Sequence, residues 1–285
     1  SIAYYTESAS NSVNSLNSLL RKDSYRNKIT TLNNPTNNEL GFSLKNEILT
    51  ALQPILDKAK KTDNKKFRDV VENLLSNQED NGLGTFNKYL PAVGLFSTII
   101  SLVGNLVIVE KRVTKEDLNQ FITRIQQYFS QYEKLNAINQ QFSVQVHSLL
   151  EKITQTREDL RDFLVECICM VNKSIDKKDL SGMSVEAMIR QYYDPQKLQA
   201  WFDSTKLKNE ILLYPPDAPT TVKMLTSGIK KLQKEFETVY SENYTALKEL
   251  ITSLRNTIPN LDQEQLEKTS NEIERLYHDS RQADV

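Results

Sequence analysis

The chain has 285 residues, with 36 basic and 37 acidic side chains, a formal net charge of −1, and only seven Gly and eight Pro. Interleaved charges of nearly equal number argue against a nucleic-acid binder that relies on a broad basic face. Scarce breakers among abundant Leu, Lys, Glu, Gln, Asn and Ser argue for long helices and against sheets, in a chain long enough to bury one large core or two modest ones.

The first stretch, Ile2 to Leu32, places Val13, Leu16, Leu19 and Leu20 at helical spacing. Asn33-Asn34-Pro35 and Gly41 break it. Ser43 can cap a second helix that carries Leu44, Ile48, Leu52, Ile55 and Ala59 on one face. That pattern continues through Phe67, Val70, Val71, Leu74 and Leu75, with a kink expected at Pro54. Lys58, Lys60, Lys61, Lys65, Lys66 and Arg68 are the densest basic run. Asp57, Asp63 and Asp69 interrupt it, so a solvated helix face is the ordinary reading and contact with anionic lipid the alternative.

Residues 82–112 contain the most unusual segment. Gly82 and Gly84 provide a hinge, and Tyr89 to Val109, YLPAVGLFSTIISLVGNLVIV, holds no charge in a chain that is 26% charged. Starting at Pro91, a helix to Val109 would reach roughly 28 Å, close to the hydrocarbon thickness of a bilayer. Gly94, Ser97, Thr98, Ser101, Gly104 and Asn105 share an arc of roughly 120° on one helical face. Leu95, Phe96, Ile99, Ile100, Leu102, Val103, Leu106 and Val107 form the apolar remainder, the expected membrane-contacting set. The stripe of small residues lets another backbone approach closely, and its hydroxyls can line a wet path in an assembly. The other reading makes 89–109 a buried core helix.

Thr114-Lys115-Glu116-Asp117 is a capping box. The residues that follow lack Gly and Pro, and Phe142, Val146, Leu149, Ile153, Thr156, Leu160, Phe163, Cys167 and Met170 keep heptad spacing. Leu118, Ile122, Ile125, Phe129 and Tyr132 precede them, and the register slips through Leu135 and Ile138. A continuous helix over this stretch would be about 100 Å long and needs comparably long partners. Cys167 and Cys169 point about 160° apart on such a helix and cannot bond to each other there.

Gly182 marks a turn, and 182–219 gathers Tyr192, Tyr193, Trp201, Phe202 and Tyr214 with four prolines, expected as short helices and loops capping one end of the bundle. From Thr221 to Thr257 another long helix carries Met224, Ile229, Leu232, Phe236, Val239, Tyr240, Tyr244, Leu247, Leu250 and Leu254. Pro259 ends it, and Asn260 with Gln263 can start a last helix with Leu261, Leu266, Ile273 and Leu276. The expected fold is all-α: one elongated antiparallel helical bundle or coiled coil over 1–285, with a central apolar helical segment.

No catalytic constellation accompanies this pattern. Only His147 and His278 are available as histidines, on separate helices, and no ligand cluster, phosphate loop, GxSxG or dinucleotide fingerprint occurs. A non-enzyme without metal or cofactor is expected, with no nucleic acid and no small-molecule substrate implied. The opening SIAYYTESAS suits the start of an exported mature chain, giving a secreted or periplasmic expectation.

Tyr89 to Val109 and the heptads from Leu118 to Met170 together resemble, in plan, the helical pore-forming toxins of the cytolysin A and haemolysin BL type. The resemblance implies an apolar head that is shielded in the soluble form and enters lipid during assembly of similar subunits, homo- or hetero-oligomeric. The apolar segment here stands nearer the N-terminus than that plan suggests, and only one flank is a very long helix. The competing expectation is a structural or interaction bundle with no affinity for lipid.

Overall fold

Short polar side chains start the helices. In the computed structural model, which describes residues 2–59, 61–76, 92–172, 174–194, 196–197 and 215–281, Ser43 is extended at φ −112° and accepts from the Asn46 amide at 3.4 Å. Thr114 and Asp117 form the expected box: the Thr114 hydroxyl accepts from the Asp117 amide at 3.2 Å, and the Asp117 carboxylate accepts from the Thr114 amide at 2.8 Å. The described helices are α1 (Ile2–Lys22), α2 (Ser24–Leu32), α3 (Leu44–Lys58), α4 (Lys61–Ser76), α5 (Ala92–Val109), α6 (Lys115–Val171), α7 (Val185–Tyr192), α8 (Ala218–Thr257) and α9 (Gln263–Arg281). No strand occurs among the described residues. The fold is all-α, as the periodicity requires.

The described chain packs into two compact units, one from residues 2–22 and 146–238, the other from 23–145 and 239–281. In the first, Phe163, Leu164, Val165, Cys167 and Ile168 of α6 are buried, together with Leu180, Met188 of α7 and Ala218 of α8. Tyr5 of α1 meets the Phe163 ring edge-on at 6.4 Å and donates its hydroxyl to the Val222 carbonyl at 3.2 Å. Arg161 closes the turn before α7 by donating to the carbonyls of Leu180 at 2.6 Å and Ser181 at 3.0 Å.

In the second unit, α3 buries Leu44, Ile48, Ala51, Leu52, Ile55 and Leu56, and α2 packs against α9. Gly41 is needed where α9 begins. It has φ +83°, its carbonyl accepts from the Asp262 amide at 3.0 Å, and a Cβ there would lie 2.7 Å from the Asp262 carbonyl oxygen.

Several sequence expectations shift. The first helix is not continuous to Leu32: Asp23 interrupts it, accepting from the Tyr25 amide at 2.9 Å as N-cap of α2. The second helix does not kink onward past Pro54. It ends at Lys58, with Ala59 extended at ψ 162°, and α4 starts afresh. Pro54 and Thr50, whose carbonyl it deprives of the usual donor, are both exposed, which makes the proline tolerable in α3. Asp262, accepting from the Gln265 amide at 3.0 Å, caps α9 instead of Asn260. Helix α6 has 57 residues, about 85 Å of rise and shorter than expected. Its seam passes through buried Asn139 where the heptad reading had Ile138. Met170, Met224 and Val70 sit outside the seams at 38%, 70% and 47% exposure. Trp201, Phe202 and Tyr214 of the expected cap lie outside the described residues.

Candidate functional site

Helix α5 is an uncharged 18-residue helix held by one side. Leu95, Ile99 and Val103, spaced four apart, are each 0% exposed. Phe96 is half-buried and its ring lies 4.5 Å from that of Phe129 on α6, tilted by 42°. Ile100, Leu102, Leu106 and Val107 are also half-buried. The expected membrane-contacting set therefore shares one face, with a fully buried line down its middle and partly wet flanks. Opposite it, Gly94, Ser97, Thr98, Ser101 and Asn105 are exposed and Gly104 is half-buried. Thr98 returns its hydroxyl to the Gly94 carbonyl at 2.8 Å, so it does not need a tertiary partner. A Cβ built on Gly94 or Gly104 would touch nothing within 4 Å, so no other described segment crowds that face. Gly82 and Gly84, the expected hinge, lie outside the described residues. Among the described residues no helix is long and apolar enough to cross a membrane.

After Val109 the chain turns sharply. The Glu110 amide donates to Leu106 at 2.8 Å and the Val113 amide to Glu110 at 3.0 Å, while Val113 is buried. Lys58, at the end of α3, pairs with Asp117 at 2.5 Å beside this turn. The hydrogen bond from Lys58, chiefly, holds the Asp117 carboxyl below its ordinary value.

A buried polar and aromatic cluster lies elsewhere in the same unit and was not expected from the sequence. Tyr25 and Tyr240 are fully buried, and Tyr25 lies 6.0 Å from Phe142, 5.6 Å from Tyr240 and 5.9 Å from Tyr277, ring to ring. The Tyr25 hydroxyl donates to Asn243 at 2.9 Å, and the Tyr240 hydroxyl donates to the Asp23 carboxylate. Burial raises the Asp23 pKa, more than the bonds from Tyr240 and the Tyr25 amide lower it, and burial pushes both phenols up as well. Every member is held by another, and the phenols are harder to ionise than free ones. The arrangement ties α2, α6, α8 and α9 together within this unit.

Lys28 of α2 makes a second clasp, to Glu39 at 2.7 Å and to Glu272 of α9 at 2.6 Å. Burial alone would raise the Glu39 pKa, but Lys28 and Asn37 outweigh it and lower the value below the ordinary 4.5. For Lys28, burial is likewise outweighed by the two carboxylates, and its pKa rises above 10.5. Glu39 therefore contributes stability that is complete above its unfolded pKa and is lost as pH falls through the depressed folded value. The Lys28 contribution is complete below its unfolded pKa and is lost as pH rises through the raised folded value. Glu39→Gln is expected to cost about 1 kcal/mol at neutral pH, since Glu272 still holds Lys28. Urea titrations of both proteins should begin to converge as pH drops below the unfolded value of 4.5 and coincide only below the depressed folded value, where folded wild type also loses the charge.

His147, with its side chain 71% exposed, lies 3.3 Å from Glu151, and His278 is 4.0 Å from Glu274. Cys167 is buried and Cys169 half-buried, both unbonded. In the basic run Lys65 and Lys66 are exposed, and Arg68 pairs with Glu72 at 3.2 Å. Among the described residues no group of three or more His, Cys, Asp or Glu could hold a metal ion. Compared with family models, curated protein sequences and solved structures, the chain matches none.

Proposed function

We propose that this chain is a membrane-interacting helical protein whose α5 leaves its seat on the bundle and enters lipid as copies assemble, in the manner of the helical pore-forming toxins it resembles. The supporting observation is the one-sided seating of α5. An uncharged helix is sequestered along Leu95, Ile99 and Val103, while its Gly94–Asn105 stripe meets solvent. Detaching it exposes apolar area that lipid can cover again at little cost, whereas water cannot. The stripe is unsuited to hydrocarbon, so the inserted state requires a second helix or a water-filled path on that side. Assembly and insertion are then one event.

The test is release of an encapsulated dye from liposomes. Ile100 and Val107 flank the buried line and are half-buried in this fold, so Ile100→Asp with Val107→Asp keeps the seat but places two carboxylates on the lipid side. An Asp at the centre of an inserted helix, where Ile100 lies in α5, costs about 2.5–3.5 kcal/mol, and one at Val107, near the helix end, costs less. Wild type should release dye, and the double variant should fall at least tenfold in rate while its circular dichroism is unchanged. The single Ile100→Asp variant serves if the double one does not fold. No release by wild type from any vesicle, or full release by a folded variant, overturns the reading.

A second reading rests on the same line of residues. Because Leu95, Ile99 and Val103 are fully enclosed, α5 can be a permanent core helix of a bundle that joins partners. That protein would float with no vesicle.

A further inference from the structure

The corner that joins α5 to α6 sets two exposed aliphatic side chains beside a run of exposed cations. Ile108 and Val109 are 82% and 73% exposed, the two most exposed adjacent large hydrophobics described. Directly after them, Lys111, Arg112 and Lys115 are all exposed, while Glu110 is turned inward at 6% exposure. Lys58 and Asp117 cancel each other in their pair, and Glu116 is the one exposed acid between 108 and 117.

The corner is also held in shape. Val113 is buried beneath it, the Glu110–Val113 turn is closed by a 3.0 Å backbone hydrogen bond, and the Thr114–Asp117 box starts the next helix at once. Exposed aliphatic side chains on a rigid turn cost little ordering entropy when they enter an interface. Flanking cations whose long stems can snorkel suit the headgroup level of a bilayer.

We infer that the Ile108–Lys115 corner is the first point of attachment to an anionic bilayer surface, with Ile108 and Val109 entering the acyl boundary and Lys111, Arg112 and Lys115 meeting headgroup phosphates and carboxylates. This rests on the membrane reading above and adds to it the lipid class and the order of events. A bilayer is favoured over a protein surface by charge complementarity: exposed cations outnumber exposed acids around an apolar pair. Attachment here places the end of α5 against lipid before the buried Leu95–Val103 line has to move.

Flotation of the full chain with vesicles separates the two ideas. The probes are phosphatidylcholine vesicles and the same vesicles with about 30 mol% phosphatidylserine. Wild type should bind the anionic vesicles at least about tenfold more tightly, and the preference should vanish near 0.5 M salt, where screening reaches only about 4–5 Å. Lys111→Glu with Arg112→Glu should abolish the preference, and Ile108→Ser with Val109→Ser should weaken binding to both vesicle types about tenfold. All four positions are exposed, so the variants keep the fold, and Arg112→Glu alone is the fallback. Binding that ignores phosphatidylserine, or that survives the charge reversal, overturns the inference. So does a sedimentation change from dimer to monomer in the Ser variants without vesicle binding by wild type, which would make the corner a contact between copies. Anionic binding without dye release leaves the attachment standing and removes insertion. Release that is indifferent to these four substitutions does the reverse.

Discussion

Tyr25→Ala is expected to lower the unfolding free energy by about 3–5 kcal/mol, the range for truncating a large buried aromatic side chain. Tyr25 touches Phe142 of α6, Tyr240 of α8 and Tyr277 of α9 through ring contacts of 5.6–6.0 Å, so its removal opens a cavity shared by several helices. It also strips a donor from Asn243, itself only 5% exposed. Tyr25→Phe separates these contributions. It keeps the rings together and loses only the hydroxyl, for an expected cost of about 1–3 kcal/mol from the unpaired Asn243 oxygen. Urea denaturation followed by far-ultraviolet circular dichroism measures both. A Tyr25→Ala midpoint within error of wild type would mean that the aromatic cluster contributes little to holding these helices.

Ile99→Asp should have an effect of similar size but a different distribution. A carboxylate forced into a position with no exposure between Leu95 and Val103 either ionises at a cost of several kcal/mol or stays protonated with its own penalty. Helix α5 has another way out, because it is seated on one side and its opposite face already meets water. The expected result is local: hydrogen exchange over 94–109 accelerates by two orders of magnitude or more, equivalent to about 2.7 kcal/mol. Amides of α6 around Phe142 and of α8 around Tyr240 should stay protected. Uniform acceleration across the second unit would show that α5 is an indispensable part of the core, as the structural-bundle reading requires.

Local chemistry that depends on near neighbours was legible in the amino-acid sequence. The Thr114–Asp117 box, the Ser43 cap and, Thr156 excepted, the buried heptad positions from Phe142 to Phe163 follow from spacing alone. The two faces of α5 were legible for the same reason, since an 18-residue helix repeats its faces several times. Features that rest on distant residues were not. The break at Asp23 carries no Gly or Pro. Its cap is secured by the Tyr240 hydroxyl, 217 positions away, and a Ser- and Asn-rich helix gives no local sign of that partner. Asn139 replaces Ile138 in the seam because the register change in α6 falls one position later than hydrophobicity suggests. Lys28 looks like any surface lysine until the loop with Glu39 and the helix with Glu272 close around it. How α5 is seated could not be read either, because an apolar face alone does not say what covers it.

The two thiols of α6 differ in a way that a chemist can use. Cys167 is enclosed by Phe163, Ala218, Tyr193, Val222 and Leu225, and burial pushes its pKa up to about 12. It therefore holds almost no thiolate at neutral pH and resists alkylation while the first unit is closed. Cys169, two residues on and half-buried, has its pKa raised by burial as well but is expected to be the one that a maleimide reaches first. Pulse alkylation with mass-spectrometric counting thus turns α6 into a built-in clock: one adduct marks the closed unit, and the second records how often that unit opens.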